Sequence, residues 1–78
     1  MISSDDLLRV VAEGLEVDLS DVSMDTKSSD LVDWDSLGHL NLLMKLDENF
    51  NDISEKVPNL ASVSSVKEIY DLIKNHNN

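Results

Sequence analysis

Apolar residues return every three or four positions in three separate stretches of this chain, and nowhere do they alternate every second position over the length of a strand. That periodicity fixes the fold class as all-α: a small four-helix bundle, three principal helices plus one short helix, with a long first loop. The 78 residues contain no internal repeat and read as a single domain spanning 1–78. A chain of this size buries only about 60% of the surface it exposes when unfolded. That leaves little room for a pocket beside the core.

The first helix is predicted over about residues 4–16. Ser3 and Ser4 offer N-caps, and Asp5 and Asp6 put negative charge where the helix dipole favours it. Leu7, Leu8, Val11 and Leu15 form its apolar face, with Arg9, Glu13 and Glu16 opposite. Gly14 weakens the helix near its end, at a cost of about 1 kcal/mol relative to alanine. Residues 17–35 are rich in Asp and Ser, whose side chains compete with helix for backbone partners. Val17, Leu19, Val22, Leu31 and Val32 are expected to pin this connection to the core, and its length suggests a functional loop.

The second helix is predicted from Ser36 through Phe50. At about 100° per residue, Leu42, Leu43, Leu46 and Phe50 share one arc roughly 100° wide. Leu37, Leu40 and Met44 fall in a separate arc of about 60°, with Asp47 beside its Leu40 edge and Glu48 beside its Leu37 edge. One stripe seats a helix on a core, so the second is surplus. Around Glu55 to Ala61, Pro58 leaves room for one helical turn at most. The last helix starts at Ser64 or Ser65, where Ser65-Val66-Lys67-Glu68 has the form of a capping box. Val66, Ile69, Tyr70 and Ile73 make its face, and the tail from Asn75 is expected to fray.

Charge restricts the partners. Sixteen acidic against six basic residues give a formal charge of -10. Such a surface repels phosphate backbones and anionic bilayers, so neither nucleic acid nor stable membrane association is expected. Proteins with basic patches are the natural partners, met through electrostatic steering. The N-terminus has no basic segment followed by an apolar one, so no signal peptide is expected, and no apolar run approaches the roughly 20 residues of a membrane span. The absence of cysteine rules out a disulfide scaffold and a cysteine nucleophile, and agrees with a reducing, cytoplasmic setting.

Few side chains could carry chemistry. Ser36 opens the second helix, where a serine is ordinarily an N-cap. Alternatively it is a point of covalent attachment, since a phosphodiester there would meet unpaired N–H groups and the positive end of the dipole. His39, one turn on, completes the letters of a Ser-His-Asp triad with Asp35. A run of five residues cannot build the cleft and oxyanion hole such chemistry needs, so no catalytic residue and no enzyme is expected. His39 is better read as a packed, hydrogen-bonded histidine and Trp34 as a loop anchor. His76 has no assigned role. Asp18, Asp21, Asp25, Asp30, Asp33 and Asp35 fit no calcium-loop spacing, so no metal site is expected.

With Asp35-Ser36-Leu37, the run from Leu42 to Phe50 and the final run from Val66 to Ile73 in place, the chain resembles the acyl carrier proteins over nearly its whole length. The resemblance implies that Ser36 carries 4'-phosphopantetheine, installed from coenzyme A by a phosphopantetheinyl transferase. The terminal thiol of that group would hold an acyl chain as a thioester for acyl-loading and acyl-processing enzymes with basic patches. The protein itself would catalyse nothing and would act as a monomer. By the same resemblance, Asp35, Leu37, Met44, Asp47 and Glu48 form a partner-binding face, which Leu40 joins by its place on the helix.

The chain departs from the commonest fatty-acid carriers. Gly38 and Asn41 stand where acidic residues are usual, Trp34 and His39 are unlike the housekeeping pattern, and Leu15-Glu16 replaces a Leu-Gly ending to the first helix. The run from Trp34 to Leu40 looks more like carriers dedicated to polyketide, peptide or surface-glycan assembly. An aminoacyl or peptidyl carrier, such as a D-alanyl carrier, is an alternative within the class. An acidic helical adaptor whose second stripe docks a partner helix is the alternative outside it.

Overall fold

The computed structural model describes residues 3–77. Its helices are α1 (Ser4–Leu15), α2 (Ser36–Asn49), α3 (Ile53–Lys56) and α4 (Val66–Asn77), and no strand occurs among the described residues. The all-α architecture, with three principal helices and one short one, is therefore as the periodicity requires.

Each boundary has a local cause. Ser3 caps α1, its hydroxyl accepting from the Asp6 N–H at 3.1 Å. Glu16 ends the helix in the left-handed region, with φ of 59°, and its N–H reaches back to the Ala12 and Glu13 carbonyls. Glycine takes that conformation at no steric cost, so Glu16 holds it under strain. Gly14 has a different reason to be small. A Cβ there would lie 2.9 Å from the Leu42 Cα, because α2 crosses α1 at this point.

The core gathers Leu7, Val10, Val11 and Leu15 of α1, Leu42 and Leu46 of α2, Ile53 of α3, and Val66, Ile69 and Ile73 of α4. Leu8, Leu43, Phe50 and Tyr70 pack against it half-buried. Val10 joins because α1 is covered by both α2 and α4. The first stripe of α2 faces inward as its spacing predicts. The second, Leu37, Leu40 and Met44, is exposed.

The long connection is held at fewer points than its apolar residues suggest. Val22 and Trp34 are buried, and Val17 and Leu31 are half-buried. Leu19 is 55% exposed and Val32 95%, so neither is a pin. Val32 points outward because the Trp34 N–H closes a turn onto the Leu31 carbonyl at 3.1 Å, leaving residues 32 and 33 at its corners. Two backbone bonds, Ser28 N–H to Ser64 O at 2.7 Å and Val66 N–H to Thr26 O at 3.0 Å, fasten the loop to the start of α4.

Two further expectations are corrected. The segment around Pro58 holds two helical turns, α3 and a 3-10 turn over Pro58–Ser62. Pro58 opens the second, where its missing N–H costs nothing. The tail does not fray at Asn75: α4 continues through Asn77, with Lys74 and His76 in its last turn, where positive charge complements the dipole. At its other end Ser65 caps α4, accepting the Glu68 N–H at 3.2 Å. The Glu68 carboxylate accepts from the Ser65 and Ser64 hydroxyls and the Ser64 N–H, which hold its pKa below the usual glutamate range.

Candidate functional site

The residue that caps α2 is Asp35. Its backbone is extended, and its carboxylate accepts the Gly38 N–H at 2.8 Å. Ser36 is thus the first helical residue and not the cap, which removes the ordinary explanation for a serine at this place. Its side chain is exposed and makes no hydrogen bond among the described residues. Gly38 is buried at the same turn: a Cβ there would collide with the Asp33 carbonyl, so the loop itself excludes a side chain. Glycine at 38 therefore has a packing reason.

Behind Ser36 stands a short relay. The Trp34 indole N–H donates to His39 Nδ1 at 2.9 Å, and His39 Nε2 lies 3.0 Å from the Leu60 carbonyl oxygen. Nδ1 must be the bare nitrogen and Nε2 the donor, so the two partners select one neutral tautomer. The rings are nearly parallel, with centroids 6.3 Å apart and planes 11° apart. That separation and the N–H···N bond set them edge to edge, not face to face. The relay ties the loop before Ser36 and the first turn of α2 to the Pro58–Ser62 turn. An open groove of about 560 Å³ lies beside it, lined by Trp34, Asp35, Ser36 and His39 on one side and Ala61 to Val63 on the other.

Of the remaining candidate residues, Leu37 (67% exposed), Leu40 (54%) and Met44 (56%) form an unpartnered apolar row running from Ser36 along α2. Glu48 is exposed beside it. Asp47 is engaged elsewhere: half-buried, it accepts from the Ser54 N–H and the Ser54 hydroxyl, both at 2.8 Å, and so anchors the start of α3. Neither this clasp nor the Leu60 carbonyl follows from helical spacing, because each joins α2 to a segment beyond a turn. The only sequence signal is an aspartate followed, after a turn, by a serine at a helix start.

Among the described residues no three acidic or histidine side chains converge as a metal site, and no helix is long and apolar enough to cross a membrane. No protein family, curated protein or solved structure matches the chain.

Proposed function

We propose that this protein is a phosphopantetheine-dependent carrier: Ser36 is the attachment point, and the face around it is presented in turn to partner enzymes. One observation carries the reading. Asp35 supplies the cap, so the Ser36 hydroxyl is exposed and free at the first position of α2, beside an apolar row that no other described part of the chain covers. A structural serine at a helix start would be engaged, and an exposed stripe next to it would be a liability without a partner.

The residues fit the group. A phosphodiester on Ser36 would lie at the N-terminal turn of a helix of 14 residues, where the dipole favours negative charge. Attachment forms a bond from the Ser36 oxygen to the phosphorus of the pantetheine arm and breaks the bond to the nucleotide part of coenzyme A, the hydroxyl proton passing to the transferase. The bound group would supply the thiol that the sequence lacks and hold an acyl chain as a thioester. What the chain contributes is position: the relay through Trp34 and His39 holds the Ser36 turn still, while Leu37, Leu40 and Met44 offer a transient apolar contact. Tethering raises the cargo's effective concentration at each partner without any catalytic group here. A specialised biosynthetic pathway suits the features around Ser36, with Asn41 in place of a charge, better than general fatty-acid synthesis does.

Intact mass measured before and after incubation with coenzyme A and a broad-specificity phosphopantetheinyl transferase tests the proposal. A gain of one phosphopantetheine by the wild type and none by Ser36→Ala is expected. No gain by the folded wild type, while a known carrier is modified in parallel, refutes it and leaves a helical adaptor.

A further inference from the structure

We infer that His39 makes the setting of Ser36 proton-sensitive: the neutral imidazole holds the Trp34 turn in place, and the imidazolium releases it. The inference rests on the carrier reading for its purpose but not for its geometry. Trp34 Nε1 and His39 Nδ1 are 2.9 Å apart, and an indole nitrogen can only donate. A proton on Nδ1 therefore sets donor against donor and ends the bond. Turning the ring does not restore it, because both nitrogens of an imidazolium donate. The bond from Nε2 to the Leu60 carbonyl, at 3.0 Å, survives protonation and becomes charge-assisted. Acid thus cuts the relay at one end only, and that end is the loop before Ser36.

Trp34 is buried, so its freed N–H finds a new acceptor only by moving toward the open groove. The Trp34 backbone closes the turn on Leu31, and the next residue is Asp35, the cap of α2. A shift of Trp34 is therefore passed through the cap to Ser36. His39 is half-buried and lines the same groove, so water and protons reach it. The other ionisable side chain lining the groove is Asp35, whose carboxylate is turned to the Gly38 N–H at 2.8 Å and whose charge is compatible with an imidazolium nearby. The Pro58–Ser62 turn brings no ionisable residue, and neither does α2 from Ser36 to Met44 apart from His39 itself. Asp33 and Glu16 line a separate groove toward α1, and Glu68 and Asp71 of α4 line one that adjoins at Ser62 and Val63. Glu55 and Lys56 of α3 are exposed. Among the described residues no lysine or arginine lines the groove, so no fixed cation there opposes the added charge.

The chain holds one tryptophan and two histidines, His39 and His76. The test therefore takes the full chain carrying His76→Gln, in which His39 is the sole histidine, from about pH 8 to 5, the range in which histidine ordinarily changes charge. Trp34 emission and the His39 ring signals in proton NMR are followed together, with circular dichroism to show that the helices persist. A reversible red shift of the emission that tracks the ring signals is expected. His39→Asn in the same background keeps an acceptor for Trp34 but takes up no proton, so its emission is expected to stay flat. His39→Gln, which keeps only the Leu60 bond, is expected to show the acid emission at every pH. Transfer of phosphopantetheine from coenzyme A by the transferase is expected to slow about fivefold relative to His39→Asn on going from about pH 7.5 to 5.5, the population lost with one hydrogen bond. Flat emission while the ring titrates, an equal shift in His39→Asn, or a rate ratio that ignores pH while the serine is modified would overturn the inference. An emission step in a protein that the transferase never modifies would sink the carrier reading and leave the proton-sensitive turn standing.

Discussion

Replacing His39 tests the relay directly. Alanine at this position removes the acceptor for the Trp34 indole N–H and the donor to the Leu60 carbonyl. Trp34 is 6% exposed and Leu60 fully buried, so the indole N–H would lose its acceptor and the Leu60 carbonyl would keep only the long bond from the Val63 N–H at 3.5 Å. A buried polar group deprived of its partner costs about 1–3 kcal/mol. The open groove at Trp34 and His39 lets water restore part of this, so the low end applies to each group and the sum is about 2 kcal/mol. For a domain of this size that lowers the unfolding midpoint by about 8–16 °C, a large part of a total stability of about 4–12 kcal/mol. Two further variants separate the bonds. In His39→Asn the amide oxygen can stand in for Nδ1 and keep the Trp34 bond; in His39→Gln the amide nitrogen can stand in for Nε2 and keep the Leu60 bond. Each variant is expected to lose about 1 kcal/mol. Urea and thermal unfolding followed by circular dichroism give the energies, and emission from Trp34, the sole tryptophan, reports on its own bond. His39→Asn should keep the native emission while His39→Gln and His39→Ala shift it. If all three variants unfold within about 0.5 kcal/mol of the wild type, or if the Asn and Gln variants alter the emission alike, the relay does not hold this turn.

Four other outcomes follow from the caps and charges. Ser36→Ala should leave the unfolding midpoint unchanged or slightly raised, whereas Asp35→Ala should cost about 1 kcal/mol, because Asp35 is the cap. Asp47→Ala should destabilise by about 1–2 kcal/mol, measured by urea unfolding, since it frees the Ser54 N–H and hydroxyl at the start of α3. Glu68 is held below its unfolded-state value by its serine partners, so its contribution is present above that value and lost as pH falls through the folded one. Stability of the wild type should accordingly fall more steeply than that of Ser65→Ala between about pH 5 and 3, in denaturation curves taken at each pH. Only two ion pairs, Arg9–Asp6 at 3.7 Å and Lys67–Asp71 at 3.8 Å, offset the acidic excess among the described residues, and both are exposed. Added salt or magnesium should therefore raise the unfolding midpoint, and a flat response would contradict self-repulsion as a destabilising force.

How far the sequence can be read depends on whether a cause is local. The helices and the two stripes of α2 are legible because side-chain spacing alone decides them. The Ser65 cap of α4 is legible for the same reason, although the Glu68 carboxylate takes the Ser64 N–H and not the Ser65 N–H that a capping box would use. The cap of α2 lies one residue from where the serine suggests, since Asp35 and Ser36 are both good caps and only the extended backbone at Asp35 separates them. Val32 reads as an anchor because hydrophobicity does not say which way a turn faces. The double turn around Pro58 exceeds expectation, because proline starts a helix as readily as it breaks one. Asp47 and His39 are legible as residues but not as contacts: their partners, Ser54 and Leu60, come from segments whose docking only the assembled core determines.

The fastening of residues 26–28 to residues 64–66 also bears on synthesis. The relay that shapes the surroundings of Ser36, from the Trp34 turn to the Leu60 carbonyl, lies in the stretch of chain between these two knots. A ribosome releases Ser36 well before it releases Val66, and until then the Thr26 carbonyl has no N–H to receive. The serine is thus presented in its finished setting only when the last helix has arrived. A nascent chain arrested before Ser64 should show fast amide exchange at Ser28 and, with it, a poor substrate for any enzyme that reads the folded turn.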